Sequence, residues 1–203
     1  MTLKYNPFVV CDSKNKCIGC RVCELACAVA HQDSEYHTAG SLETPLFPRL
    51  TLIKVEGLTM QVNCRHCEDA PCANACPVGA IKQIDNTIVV DTKTLQTGAC
   101  VGCKTCLLAC PFGAIELVPA YDGDTPLYQY GLAYENMKTK SLETKELFIA
   151  NKCDLCRGKE DGPACVRNCP EEALAVVDPV QSRKEKNLKA ALGLADLVGN
   201  ITA

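Results

Sequence analysis

The sequence predicts an α+β fold of two small lobes, each organised around bound metal rather than around a large organic core. Three observations predict it. Sixteen of the seventeen cysteines in this 203-residue chain fall into four groups of four. Aromatic residues are only 5% and tryptophan is absent, so large side chains cannot supply the missing packing. Short β-branched runs and short helical runs alternate around the cysteines, which suits small sheets with helices packed over them.

Taken in order, FVVC at 8–11 reads as a strand. The first group follows, Cys17, Cys20, Cys23 and Cys27, spaced C-x2-C-x2-C-x3-C, with ELAC on a short helix that AVAHQ could continue. The stretch YHTAGSLETPLFPR (36–49) is a connection, and TLIKV near Leu52 is a strand. The second group is Cys64, Cys67, Cys72 and Cys76, spaced C-x2-C-x4-C-x3-C, with ANAC helical. KQI and TIVV flank Asp85-Asn86, a hairpin signal. Cys100, Cys103, Cys106 and Cys110 repeat the first spacing, with LLAC helical and AIELV near Ile115 a strand.

An insertion at 119–146 then carries Tyr121, Tyr128, Tyr130 and Tyr134, four of the six tyrosines. It reads either as a loop over the inner lobe or as a partner-contact patch, because tyrosine is favoured at interfaces. The fourth group, Cys153, Cys156, Cys165 and Cys169, widens the middle gap to eight residues, and VRNC should be helical. From Gln181 the tail runs through SRKEKN into LKAALGLADLVGN. Leu188, Leu192 and Ala195 lie on one helical face, widened by Leu194, Leu197 and Val198. Gly193 should weaken this helix and Gly199 should end it. It can pack back on its own lobe or dock on another subunit.

CPVGAI at Cys76, CPFGAI at Cys110 and CPEEAL at Cys169 show that one small unit is used repeatedly, although Cys27 lacks the proline. Three chemistries compete for such cysteines. Disulfides need an oxidising compartment, and MTLKYNPFVVCDSKNKC has no charged-then-apolar export pattern. Structural zinc prefers paired C-x2-C hooks and has no use for three ligands in C-x2-C-x2-C followed by a fourth. The run C-x2-C-x2-C-x3-C-P instead matches the bacterial ferredoxin pattern, in which the fourth cysteine ligates the other cluster of a pair. A tight loop lets three thiolates reach three irons of one cubane. The fourth follows about one helical turn on and reaches a neighbouring cluster. Four groups in two cross-ligated pairs make four 4Fe–4S clusters, and spacing alone leaves open which groups pair.

These segments (CIGCRVCELACAVAHQ, CRHCEDAPCANACPVGAI, CVGCKTCLLACPFGAIE and NKCDLCRGKEDGPACVRNCP) resemble the four-cluster electron-transfer subunits of formate hydrogenlyase and hydrogen-dependent carbon dioxide reductase. More distantly they resemble the electron-transfer subunits of dimethyl sulfoxide and polysulfide reductases. The resemblance covers about residues 5–118 and 147–180. It implies two bacterial-ferredoxin-like lobes related by a pseudo-twofold. Residues 1–34 with 147–180 would form the outer lobe, 35–57 a connection, 58–118 the inner lobe, 119–146 the insertion and 181–203 a helical tail.

It also implies that the first group pairs with the fourth and the second with the third. One cluster would then take Cys17, Cys20, Cys23 and Cys169, and its neighbour Cys27, Cys153, Cys156 and Cys165. The inner pair would use Cys64, Cys67, Cys72 with Cys110, and Cys76 with Cys100, Cys103 and Cys106. Some relatives carry tryptophan at the position of Cys106, so a 3Fe site is not expected here. The implied function is electron relay between a hydrogenase-type and a formate dehydrogenase-type subunit. In the filamentous members, such subunits form a spine linked in part by a C-terminal helix, so other iron–sulfur subunits or further copies are expected partners. A freestanding polyferredoxin, or a subunit of another molybdopterin oxidoreductase, is the alternative.

Other functions lack support in the residues. A net charge of −3 gives no general attraction to nucleic acid, and four clusters at −2 each would take it to about −11. No run approaches the ~18 apolar residues of a spanning helix. A soluble, cytoplasmic protein is expected. No phosphate loop, zinc-hydrolase helix or nucleophile elbow appears, so no catalytic residues are expected. Cys11, the cysteine left over, reads as a small hydrophobe in a strand. Arg21, Lys104, Arg65 and Arg157 adjoin ligands and are candidates for raising cluster potentials, against the reading of solvated side chains. His31 and His66 lie close to ligands and are expected around the metal or at the surface, not as ligands.

Overall fold

The structure is a computed structural model that describes residues 6–11, 17–32, 38–42, 44–92 and 99–201. In chain order it begins with strand β1 (Phe8–Cys11), helix α1 (Val22–Ala30), β2 (Thr51–Val55), β3 (Leu58–Val62), helix α2 (Pro71–Asn74), β4 (Ile81–Ile84) and β5 (Thr87–Val90). Helix α3 (Thr105–Ala109) and β6 (Glu116–Pro119) precede the insertion strands β7 (Tyr121–Asp122), β8 (Thr125–Pro126), β9 (Tyr128–Glu135) and β10 (Leu142–Glu146). The chain closes with β11 (Phe148–Asn151), α4 (Ala164–Arg167), β12 (Leu174–Val177) and α5 (Pro179–Ile201). This is a mixed α/β fold, and the expected strands at 8–11, 51–55 and 87–90 are all present. The expected boundary at residues 34 and 35 lies outside the described residues.

Every sheet among the described residues is a two-stranded antiparallel pair. β2 pairs with β3, β4 with β5, β7 with β8 and β9 with β10, all as hairpins. Asp85 and Asn86 turn the β4–β5 hairpin with φ of 48° and 64°, the left-handed pair that a two-residue turn of matching twist requires. The other two pairs join distant segments. β1 lies against β12, with Phe8 opposite Val177 and Cys11 opposite Leu174. β6 lies against β11, with Glu116 opposite Asn151. Such two-stranded sheets are marginal alone and need something to pack on.

Outside the insertion, the four other pairs pack on two cores rich in cysteine. One contains Val9, Leu50, Leu52 and Leu174 with Cys23, Cys27 and Cys165, and Cys11 packs against it. The other contains Ala70, Ile81, Ile88, Ile115 and Ala150 with Cys72 and Cys106. Helix α1 packs against α4, and α2 against α3. Leu50 and Leu52 thus bring the end of the connection into the core beneath the first and last cysteine groups.

Two regions differ from the sequence reading. The insertion is built of strands, and the longest, β9, pairs with β10 through a register shift between Thr144 and Glu146. The helical tail starts earlier and runs further than expected. Asp178 caps it by accepting the Val180 N–H at 2.8 Å, with Pro179 at the first helical position, where its missing N–H costs nothing. Helical backbone continues through Gly193 and Gly199 to Ile201. Leu188 is 61% exposed and Leu192 58%, so this face is not packed back on the body. No helix among the described residues is long and apolar enough to cross a membrane.

Candidate metal centres

All four cysteine groups share one backbone device. The residue just before the second cysteine is left-handed in each: Gly19 at φ 75°, His66 at 47°, Gly102 at 68° and Leu155 at 58°. This turn folds the chain back so that successive sulfurs converge. Where a side chain is present, the left-handed conformation costs about 1–2 kcal/mol, so burial must hold it. His66 is fully buried and Leu155 packs on the first core.

The turns also aim backbone N–H groups at sulfur. The His66 N–H donates to Cys64 Sγ at 3.4 Å, and the Leu155 N–H donates to Cys153 Sγ at 3.4 Å. In the C-P-x-x-A repeat, proline starts a turn and a left-handed residue closes it, Gly113 at φ 60° and Glu172 at φ 48°. The alanine N–H then returns to the cysteine: Ala114 to Cys110 at 3.4 Å and Ala173 to Cys169 at 3.3 Å. Further N–H donors reach sulfur from elsewhere in the chain, Arg49 to Cys27 at 3.3 Å, Ala150 to Cys100 at 3.3 Å and Ala164 to Cys156 at 3.4 Å. Oriented N–H donors stabilise thiolate and suit the sulfur of a metal cluster.

The sulfurs gather in small sets drawn from two groups each. One small cavity is lined by Cys17, Cys20, Cys23 and Cys169. A second is lined by Cys76, Cys100, Cys103 and Cys106, with Ile81 and Leu117 behind them. Cys165 is pushed up by burial and by the neighbouring sulfurs of Cys153, Cys27 and Cys156. Cys72 is raised to about 11 by burial, offset in part by the charge of Lys152, while the sulfurs of Cys64 and Cys110 raise it further. Burial similarly raises Cys23 to about 11 and Cys153 to about 12. Free thiolates are therefore costly at these four cysteines, and a cation that accepts their sulfur would release protons on binding. Convergent buried thiols with N–H donors aimed at them fit an iron–sulfur cluster.

The basic residues nearest the ligands mostly face solvent. Lys104 is exposed, and exposed Arg21 pairs with Glu24 at 3.3 Å. Arg157 is also exposed and pairs with Asp85. Arg65 stacks over the Phe8 ring at 4.9 Å and serves β1. His31 lies deeper. Its Nε2 meets Asp154 at 2.9 Å, and Arg49 reaches the other Asp154 oxygen at 2.5 Å. Burial disfavours the charged form of His31, but bonds to Asp154, Cys156 and Cys27 outweigh it and raise the imidazole to about 11. Burial likewise opposes a charged Asp154, yet His31 and Arg49 hold its carboxyl well below the usual range. This trio ties the end of α1 to the fourth-group loop.

Sequence reasoning missed Lys152, which is buried to 3% exposure beside Cys153. It also missed the depth of His66. Burial, and then the charge of Lys152, lower His66 to about 3, so it stays neutral near pH 7.

Cysteine-lined cavities on paired short sheets define an iron–sulfur protein of ferredoxin type. Two 4Fe-4S dicluster domain families match the chain, one over residues 55–120 and the other over 92–170. Electron transport protein HydN of Escherichia coli (strain K12) is 42% identical over 190 residues, spanning 92% of this chain and 98% of that protein. Formate hydrogenlyase subunit 2 of the same strain is 38% identical over 206 residues, 97% of this chain and 94% of that protein. The putative electron transport protein YsaA of that strain is 42% identical over 173 residues, 85% and 90% of the two chains. The chain belongs to this family of iron–sulfur electron-transfer proteins.

Proposed function

We propose that the chain carries four 4Fe–4S clusters and relays electrons between a hydrogenase-type and a formate dehydrogenase-type subunit in the cytoplasm. One cluster would be held by Cys17, Cys20, Cys23 and Cys169, and its neighbour by Cys27, Cys153, Cys156 and Cys165. The other pair would be held by Cys64, Cys67, Cys72 and Cys110, and by Cys76, Cys100, Cys103 and Cys106. When bound, such clusters supply one-electron couples whose potentials follow hydrogen bonds, charge and exposure. The single observation that carries the reading is the gathering of four cysteines from two distant groups around each of two cavities. The packing of α1 on α4 and of α2 on α3 supports the nested pairing and two lobes related by a pseudo-twofold. The similarity to formate hydrogenlyase subunit 2 supports the choice of partners, and that to the electron transport protein HydN supports the relay.

The protein's own residues do three things in this reading. Left-handed turns present the sulfurs. Backbone N–H groups stabilise negative charge on them. Exposed Cys20 and Cys103 bring two of the four sites to the surface, where a partner's redox group can approach. Apolar Ile18 lies beside the first and Val101 beside the second, both exposed, which suits transient docking.

Chemical analysis of anaerobically prepared protein should find about sixteen irons and sixteen acid-labile sulfides, four clusters at four each. Eight or fewer irons, or stoichiometric zinc, would overturn the assignment. Native gel filtration with mass spectrometry then tests the partners: a lone ~22 kDa species means a free carrier.

The exposed tail supports assembly through α5. Deleting residues 181–203 should leave the iron content unchanged, because no cysteine lies in it. It should also reduce the size of the native complex. A truncated protein that assembles as well as the full chain would assign no docking role to the helix.

A further inference from the structure

Lys152 is the buried charge that the cysteine chemistry leaves unused. Its Nζ donates to the Ile88 carbonyl oxygen and, at 2.8 Å, to the Cys153 carbonyl oxygen. Two carbonyl acceptors hold the charge in place and keep it from swinging to solvent. Ile88 belongs to β5 and is 1% exposed. Its N–H donates to His66 Nδ1 at 3.0 Å. One residue of the β4–β5 hairpin is thus clamped between the second-group loop, through His66, and the fourth-group loop, through Lys152.

Both loops carry proposed ligands. The clamped His66 donates its own N–H to Cys64 Sγ at 3.4 Å, and Lys152 immediately precedes Cys153. In the second-group loop, His66 Nε2 and, next to Cys64, Asn63 Oδ1 are buried with no hydrogen-bond partner among the described residues. The protein therefore leaves polar capacity unused next to the second group, as expected where another group binds.

We propose that Lys152 is a positioning charge shared by two cluster sites, one containing Cys64 and the other Cys153, and that it raises the reduction potential of both. The inference rests on the ligand sets proposed above. Adding an electron to a site adds negative charge, and a fixed cation in a low-dielectric interior stabilises the reduced form. The two sites lie in different proposed lobes, so one side chain would set the level on both sides of the crossing between them. The basic residues singled out by sequence position lie nearer to solvent, where screening weakens them.

The test compares full-length, iron-loaded protein with its Lys152→Met, Lys152→Gln and Lys152→Arg variants, by iron analysis and EPR-monitored redox titration. The wild-type iron count checks the underlying reading separately: eight or fewer irons overturns the ligand sets before any variant is read. With full iron, the neutral variants should show two midpoints lowered by at least tenfold in the reduction equilibrium, 59 mV for one electron. The other two midpoints should stay in place, and Lys152→Arg should keep all four near the wild-type values. Unchanged midpoints in the neutral variants overturn the proposal. So does an equal shift in Lys152→Arg, which would make the effect one of packing. If neither neutral variant holds its iron while Lys152→Arg does, Lys152 is a folding tie and the proposal fails.

Discussion

Replacing Gly102 by alanine will destabilise the protein by about 2–5 kcal/mol and strip iron from the third cysteine group. Gly102 sits at φ +68°, and a Cβ built there lies 2.1 Å from the carbonyl oxygen of Phe148. That oxygen belongs to the first residue of β11, whose register against β6 is fixed by four paired positions. The strand cannot retreat cheaply, because its Ala150 N–H also donates to Cys100 Sγ at 3.3 Å. The left-handed conformation alone costs an alanine about 1–2 kcal/mol, and forcing atoms into a packed interior adds about 1–3 kcal/mol. Gly19 provides the control. It holds the equivalent place in the first group at φ +75°, but its Cβ would come no closer than 3.7 Å to Thr59 Cγ2, an ordinary contact. Gly19→Ala should therefore lose only the conformational part. Thermal unfolding and iron content of the two variants decide the matter, and equal losses would remove the steric argument.

The contrast between these glycines marks how far the sequence can be read. C-I-G-C and C-V-G-C are identical as patterns, and both predict the same turn. Only the arrival of β11 distinguishes them, and that is a tertiary fact. The short strands were legible because β-branched runs are bounded by turn residues, and Asp85-Asn86 carries its hairpin in its own preferences. The insertion was harder. Tyr128, Tyr130 and Tyr134 are spaced in multiples of two, as a strand favours, but the partner of β9, β10, reads LETKE, too polar to suggest a strand. The start of α5 was written in Asp178-Pro179, a cap followed by proline, and was hidden by the charged run after it.

Lys152 and His66 show a different limit. Both adjoin cysteines, and by type both belong at a surface. Their burial depends on the β4–β5 hairpin, more than sixty residues from Lys152 along the chain, laying Ile88 between them. Sequence spacing marked the cysteines that converge around the two cavities, and it did not locate the charges around them. Spacing constrains thiols that must converge within one loop, whereas the source of a cation is constrained only by the fold.

Removing the metal will release the unit that joins the chain's two ends, and Cys169→Ser will damage the same unit selectively. That unit joins the first cysteine group to the fourth across more than a hundred residues. Its protein contacts include a two-stranded β1–β12 sheet, the packing of α1 on α4, the His31–Asp154–Arg49 trio and a core with four buried aliphatic side chains. A lone two-stranded sheet is marginal in water, and cysteines make up much of the remaining core. Where folding is coupled to metal binding, the binding free energy is part of the folding free energy. Anaerobic chelation should therefore speed amide exchange in β1 and β12 first. In Cys169→Ser the hard, less acidic oxygen is a poor substitute for thiolate, and the Ala173 N–H loses its 3.3 Å contact to sulfur. The expected EPR change falls on the cluster assigned to Cys17, Cys20 and Cys23, with the inner pair untouched. Damage to the inner pair instead would make the one–four pairing wrong, and undiminished protection of β1 and β12 without iron would mean that protein contacts alone hold the ends together.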